Sequence, residues 1–453
     1  MNELLLSFYG DDFTGSTDAM EALSIAGVRT VLFLDPPDSE LLSERFSDLR
    51  ALGIAGISRS WTPGQMEEFL RPAFGAIKQL GAPVFHYKTC STFDSSPEIG
   101  SIGRAIDIGQ ELFHSRFVPL VVGAPALRRY TLFGNLFATV GDESYRLDRH
   151  PTMAHHPITP MDEADLRLHL ARQTATNVAL FDIVHQTGTS DVVAQRFEAL
   201  LDTRPDIVLF DVLDDARLSE VGRLIWSHRG AGPLFAAGSS GVEYALTAHW
   251  RATGLVPQPQ PVRPAGPVEQ LVVISGSCSP ETQQQIDWAL EHGFAGIALD
   301  TVDLVNPATA PTARDSAIRA AERALGQGQS VVLHTSVGPH DARIAATARV
   351  LTACGLDRTS MGQQLGRELG RILRTLLERT GLRRAVVAGG DTSGHASLHL
   401  GIYALEMVTP IAPGSPLCRA YSHIAHLDGL EIALKGGQVG KADYFGKILR
   451  GSA

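Results

Sequence analysis

Short apolar runs recur along the chain and alternate with longer stretches in which apolar positions return every three or four residues. In the first half LLLSFY, TVLFL, LGIAGIS, VFHYK, VPLVVG, DIVLFDVL and PLFAAG read as buried strands. STDAMEALSIAG, MEEFLRPAFGAIKQLG and SSGVEYALTAHW read as helices among them. The second half repeats the style, with strand-like LVVISG, GIALD, VVLHTSV and AVVAGG and helix-like SPETQQQIDWALEHG, ARDSAIRAAERALGQG and MGQQLGRELGRILRTLLERTG. This alternation predicts βαβ units and an α/β class built from two open, mostly parallel sheets. Between the halves, residues 254–270 (GLVPQPQPVRPAGPVEQ) hold five prolines, a density that neither a helix nor a central strand tolerates. The expected organisation is a domain over 1–253, a linker over 254–270 and a domain over 271–453.

Composition agrees with two cores. A chain of 453 residues with 44% hydrophobic and 19% charged content is too long for one ordinary core and too apolar to be disordered. The formal net charge of −10 leaves no basic footprint for nucleic acid or anionic membrane, which favours small-molecule chemistry. MNELLLSFYGDD lacks the basic and apolar regions of a secretory leader, and no apolar run approaches membrane-spanning length. Cys90, Cys278, Cys354 and Cys418 are scattered without CxxC spacing, so reduced thiols in a cytoplasmic protein are expected.

In open α/β sheets ligands gather beyond the carboxyl ends of strands, so the residues after each apolar run carry the chemistry. Asp11 and Asp12 follow the first strand in GDDFTGSTD, where two carboxylates can orient a hydroxyl, accept its proton or hold Mg²⁺. Either could instead cap the following helix, a role open also to Ser16 or Thr17. Lys88, Cys90, Ser91 and Thr92 occupy the loop after VFHY and suit an anionic, polyhydroxylated ligand, although a solvated polar loop has the same composition. Arg59, in ISRSW, offers a bidentate donor for a carboxylate or an ordinary surface charge. His155 and His156 have no second ligand cluster, so HHPITPMDEADLRLHL reads as a turn before a proline-started, acid-rich helical segment, from which a histidine still reaches a substrate.

In the second half Ser275, Gly276, Ser277 and Ser279 lie between a strand and a helix start, where free backbone N–H groups attract phosphate. Gly389, Gly390, Asp391 and Thr392 follow AVVA, and glycines there permit close approach of a phosphate to the backbone. His395 and Ala396 replace the lysine and hydroxyl that a P-loop demands, so this is not a Walker A motif. Lys435, Gly436 and Gly437 open a third glycine-rich segment, which, with IAPGSPLCRA upstream, is expected to close over a nucleotide. Any one of these is ordinary turn chemistry; three in one α/β domain favour a nucleotide.

Taken in order, GDDFTG, SRS, YKTCSTFDS, HHPITPM, GSSG, SGSCS, AGGDTSG and ALKGGQVG make the chain resemble the four-carbon acid sugar kinase family along nearly its whole length. The resemblance implies an N-terminal domain for the sugar acid, a C-terminal domain for ATP with Mg²⁺, and phosphoryl transfer in an interdomain cleft. It places Asp11, Asp12, Arg59, Lys88, Ser91 and Thr92 on the substrate side. Ser277, Gly389, Gly390, Asp391, Thr392, Gly436 and Gly437 fall on the nucleotide side. The expected activity is ATP-dependent phosphorylation of a terminal hydroxyl, with Arg59 and Lys88 on the substrate carboxylate and Asp11 or Asp12 as base. PALRRYTLFGNLF is shorter than the usual segment there, and His395 replaces a small residue. Because the first departure lies on the substrate side, 3-oxo-isoapionate stands beside threonate, erythronate and 3-oxo-tetronate as acceptor. Partners are confined to the sugar acid and ATP, with a homodimer left open. A non-catalytic sensor is the competing class, though a sensor has no need of a proton acceptor, and no GxGxxG supports a dehydrogenase.

Overall fold

The computed structural model describes residues 3–156, 158–353 and 358–453; side chains at 353, 358–361 and 391 lie outside the described residues. The chain divides into two compact units, Met1–Gln260 and Pro261–Ala453. The division falls inside the proline-dense stretch.

The first unit contains strands β1 Leu6–Gly10, β2 Thr30–Phe33, β3 Ala51–Ala55, β4 Val84–Lys88 and β5 Val118–Val121. It continues with β6 Arg129–Leu132, β7 Asn135–Val140, β8 Glu143–Arg146, β9 Val178–Phe181, β10 Ile207–Phe210 and β11 Leu234–Gly238. Eight of them form a parallel sheet in the order β2-β3-β1-β4-β11-β5-β10-β9. The strands next to the site are buried along nearly all their length, which is why they read as continuous apolar runs rather than alternating ones. An aromatic cluster of Tyr9, Phe74, Phe85, Tyr87 and Phe235 packs beside β1, β4 and β11. Helix Pro63–Lys78, which carries Phe74, starts at a capping box between Thr62 and Gln65 with proline in its first turn.

The second unit contains β12 Val272–Ser275, β13 Ala295–Ala298, β14 Val331–His334, β15 Arg384–Ala388, β16 Ile402–Ala412, β17 Ser415–Ser422 and β18 Glu431–Lys435. The order β13-β14-β12-β15-β18 is parallel, and β17 and β16 extend it antiparallel. IAPGSPLCRA is therefore not a loop able to close over a ligand. It is the tip and second arm of a hairpin, turning at Pro413–Gly414 with Gly414 at φ 78°.

Both units wind in the same way. The first strand is central, the second lies outward, the third returns to lie between them, and the fourth crosses to the other side of the first. Connections therefore diverge between β1 and β4 in one unit and between β12 and β15 in the other. Crevices at such switch points are where open α/β sheets take ligands.

Sequence reading did not anticipate the antiparallel sheet β6-β7-β8. Its first hairpin turns through Phe133 at φ 50° and Gly134 at φ 79°. Buried Asp211, just past β10, accepts the N–H groups of Phe133 at 2.5 Å, Gly134 at 3.0 Å and Ile183 at 3.0 Å. Asp211→Ala strips three backbone donors of their acceptor and is expected to destabilise this unit by about 3 kcal/mol, allowing for partial rehydration. Denaturant unfolding of the variant checks this.

Candidate functional site

The first cluster forms where β1 and β4 end side by side, with Gly10 paired to Lys88. The backbone of Asp11 continues the ladder, its N–H donating to the Lys88 carbonyl at 2.8 Å and its own carbonyl accepting from Arg59 N–H at 3.0 Å. The two aspartates then diverge. Asp12 is the N-cap of helix Phe13–Ile25: its Oδ1 accepts from Gly15 N–H at 2.5 Å, and its Oδ2 meets Arg59 Nη1 at 3.0 Å. Asp11 is buried, and its Oδ1 has no hydrogen-bond partner among the described residues. Burial, reinforced by the charge of Asp12, raises its pKa to about 7.

Gly15 lies under this group. A Cβ there would stand 2.6 Å from Asp12 Oδ1, 3.3 Å from Lys88 Nζ and 3.7 Å from Asp11 Oδ1, so the missing side chain leaves the three charged groups facing one small space. Lys88 is buried with its Nζ 3.1 Å from Asp18 Oδ2 and 3.0 Å from the Thr89 carbonyl. Burial works against its charge, yet Asp18, Glu243 and Asp11 hold its pKa above the usual lysine value.

Arg59, 27% exposed in its side chain, bridges Asp12 and Asp94 from the short turn Ser58–Ser60. Asp94 also accepts from Thr92 Oγ1 at 2.5 Å and Thr159 Oγ1 at 3.1 Å. Burial alone would raise its pKa, but Arg59 and Thr92 hold it below the usual range. Cys90 Sγ lies 3.1 Å from Thr92 Oγ1, Ser91 is half-buried, and the loop closes through buried Phe93 at φ 55°. Backbone strain of this kind concentrates at functional sites.

Thr159 brings in the segment of paired histidines: His156 Nδ1 accepts from Thr159 N–H at 3.1 Å. A single residue, Thr159, thus links His156 to the Asp94–Arg59 pair. Residues 158–164 are coil, and a short helix begins only at Leu166, capped by Asp165, rather than at a proline. A charged group at Asp165 competes better for the free N–H groups of the first turn.

The structure therefore draws Asp11, Asp12, Arg59, Lys88, Cys90 and Thr92 together around β1 and β4, with Ser91 in the same loop. It adds Asp18, Asp94 and Thr159. Asp18 had a signal in the sequence, since Ser16, Thr17, Asp18 and Glu21 put polar groups on buried positions of one helix. Thr159 lies in HHPITPM, one of the segments that carry the resemblance, but its contact with Asp94, 65 residues away, had no signal in the sequence.

The second cluster occupies the matching position in the other unit. Ser279 caps helix Pro280–Glu291, accepting from Thr282 N–H at 3.1 Å. Gly389, at φ 123°, precedes helix Gly390–His399, whose first backbone bond is Ser393 N–H to the Gly389 carbonyl at 2.9 Å. The N–H groups of Gly390 and Thr392 thus have no intrahelical acceptor, the usual basis of a phosphate site. A Cβ on Gly389 would stand 3.0 Å from Thr392 Oγ1 and 3.3 Å from Ser277 N; one on Gly437 would stand 2.9 Å from Ser277 Oγ. Ser277, Gly389, Gly390, Thr392, Gly436 and Gly437 accordingly meet in one place, while the side chain of Asp391 lies outside the described residues.

The Gly437 carbonyl is clamped by Ser279 Oγ at 2.5 Å, Thr282 Oγ1 at 2.9 Å and Lys435 Nζ at 3.3 Å. Across a trans peptide this turns the Gln438 N–H the opposite way, out of the clamp. Lys435 is fully buried and also donates to Thr282 Oγ1 at 2.9 Å; burial lowers its pKa to about 7. It braces the loop from beneath instead of reaching across it.

Comparison with known proteins yields three findings. Residues 6–246 match the family description "Sugar-binding N-terminal domain" and residues 272–445 match "Nucleotide-binding C-terminal domain". The 3-oxo-isoapionate kinase of Paraburkholderia graminis is 49% identical over 448 residues, covering 99% of this chain and 94% of that protein; the 3-oxo-tetronate kinase of Cupriavidus necator is 31% identical, covering 98% and 96%. A crystal structure of a Haemophilus influenzae protein, 24% identical over 98% of both chains with a TM-score of 0.71, shares the fold. Among the described residues no helix is long and apolar enough to cross a membrane.

Proposed function

The chain belongs to the four-carbon acid sugar kinase family, whose members phosphorylate small sugar acids with ATP, and on that premise we propose that it transfers the γ-phosphoryl group of ATP to a terminal hydroxyl of 3-oxo-isoapionate. The observation that carries the reading is Asp11: a buried carboxylate with an unpartnered oxygen, raised to about 7, at the switch point of the sugar-side unit. A sensor needs no such group. The choice of acid follows the relative that is 49% identical rather than those near 30%. The first unit takes the acid and the second takes ATP.

The two aspartates divide the work. Asp12 is committed to Gly15 N–H and Arg59 and serves position, while Asp11 accepts the proton of the attacking hydroxyl through its free oxygen. Arg59 and Lys88 supply positive field around the acid pair, Cys90, Ser91 and Thr92 line the acceptor's side, and the N–H groups of Gly390 and Thr392 with the Gly436–Gly437 loop receive the phosphates. Mg²⁺ is the proposed metal. Carried on ATP it needs few protein oxygens, and the Thr392 hydroxyl beside Gly389 and the Ser277 hydroxyl beside Gly437 suit it. When bound it would neutralise phosphate charge. The remaining catalysis is alignment and exclusion of water, as phosphoryl transfer generally requires. We further place the protein in the cytoplasm and leave a homodimer as the assembly to test.

A coupled ADP-release assay over 3-oxo-isoapionate, 3-oxo-tetronates, threonate and erythronate tests the reading. ADP formation with none of them by folded protein would defeat it. The base assignment also fixes a pH profile. Asp11 must be ionised to accept a proton, so activity is present above about 7 and is lost as pH falls through that value. log kcat/KM should rise with unit slope below about 7 and level above it. Because Asp12 is the second cause of the raised value, Asp12→Asn should move this limb to lower pH; an unmoved limb would count against the coupling.

A further inference from the structure

Two cations stand in the first cluster, and both are already paired. Arg59 is shared between Asp12 and Asp94, and Lys88 faces Asp18 at 3.1 Å. Arg129 has no carboxylate within ion-pair distance among the described residues. It opens β6, in the segment leaving β5, and the carboxyl end of β5 lies in the same parallel sheet as those of β1 and β4. Its Nη1 donates to the carbonyls of Leu127 at 3.1 Å and Arg128 at 3.3 Å, and its Nε is buried without a partner.

The groups around Arg129 do not supply the missing charge. Cys90 acts on it from the loop after β4, and His150 feels its charge. Burial raises the Cys90 thiol, while burial and then Arg129 lower His150, so both are neutral near pH 7. Arg128 adds only like charge. Cys90 is also acted on by Arg59, Asp94 and Asp12, which ties Arg129 to the acid cluster through one shared neighbour. Arg129 is half-buried, and a buried N–H without an acceptor in the protein calls for one from a ligand, an ion or water.

We propose that Arg129 binds the carboxylate of the sugar acid, presenting its unpartnered Nε edge as the fork that Arg59 and Lys88 are not free to offer. The inference deepens the sugar-acid kinase reading and rests on it for the identity of the anion. Loss of a charge-assisted forked pair weakens binding about tenfold to a hundredfold.

The experiment is calorimetric titration of the full chain, without ATP, using 3-oxo-isoapionate and its neutral amide, followed by kinetics. Arg129→Met should weaken binding of the acid about tenfold to a hundredfold while leaving that of the amide within about threefold, with ATP affinity unchanged as the check on folding. Arg129→Lys, which keeps charge but loses the fork, should fall between. Unchanged affinity for the acid, or equal losses for acid and amide, would overturn the assignment. If Arg129→Met loses ATP binding, the lysine variant decides by the same comparison. A wild-type protein that binds acids through Arg129 but transfers no phosphate would defeat the kinase reading alone. Undiminished binding and turnover in Arg129→Met would defeat the carboxylate site alone.

Discussion

Asp11→Asn is expected to lower kcat about 10²- to 10⁴-fold while leaving the affinities for ATP and the sugar acid near those of the wild type. The substitution keeps size and shape but removes a buried carboxylate oxygen that has no donor among the described residues. Keeping Asp11 ionised in this site costs on the order of 4 kcal/mol relative to water, from the rise of its pKa from 3.8 to about 7. That cost makes it a better proton acceptor near neutral pH than an ordinary aspartate. Asp12→Asn should do less harm, because asparagine still caps a helix. Rapid-quench measurement of the transfer step, beside equilibrium titration of both ligands, separates lost chemistry from lost binding. A kcat within about threefold of wild type would remove Asp11 from the role of base.

Gly389→Ala should raise the KM for ATP more than tenfold and leave sugar-acid binding unchanged. The residue sits at φ 123°, where an L side chain costs on the order of 1–3 kcal/mol, and its Cβ would press on Thr392 Oγ1 at 3.0 Å and Ser277 N at 3.3 Å. Relief of that contact must shift either the first turn of helix Gly390–His399 or the turn after β12, and both present donors to the phosphates. Binding of a non-hydrolysable ATP analogue, read by calorimetry, checks the effect. Unaltered affinity would mean that the phosphates lie elsewhere.

Most of the parallel strands were legible because they are covered on both faces and so are apolar throughout, whereas half-buried β9 was not read. The sheet β6-β7-β8 was not, since RYTL and ESYR lie half exposed and carry too few apolar residues to show a period. Pro410, Pro413 and Pro416 likewise disguised β16 and β17, because proline argues against a strand unless it stands at an edge or turn. Asp11 and Asp12 were visible as a pair at a strand end. Which one was committed to the cap was not visible, because that depends on Arg59, 47 residues away. Arg129 stood in plain view beside Arg128. Only burial of its Nε and the lack of a carboxylate near it among the described residues set it apart. Lys435 gives the opposite lesson: a lysine beside glycines suggests a hand reaching for phosphate, yet its Nζ is held within the protein by Thr282 and the Gly437 carbonyl.

The most direct measurement is phosphorus NMR of a reaction containing the wild-type protein, ATP, Mg²⁺ and 3-oxo-isoapionate at pH 8. The proposed activity predicts ADP in step with one new phosphomonoester resonance, split by the two protons of the adjacent terminal CH₂ group. ADP with inorganic phosphate and no new phosphomonoester, or ATP left intact by folded protein, would contradict it.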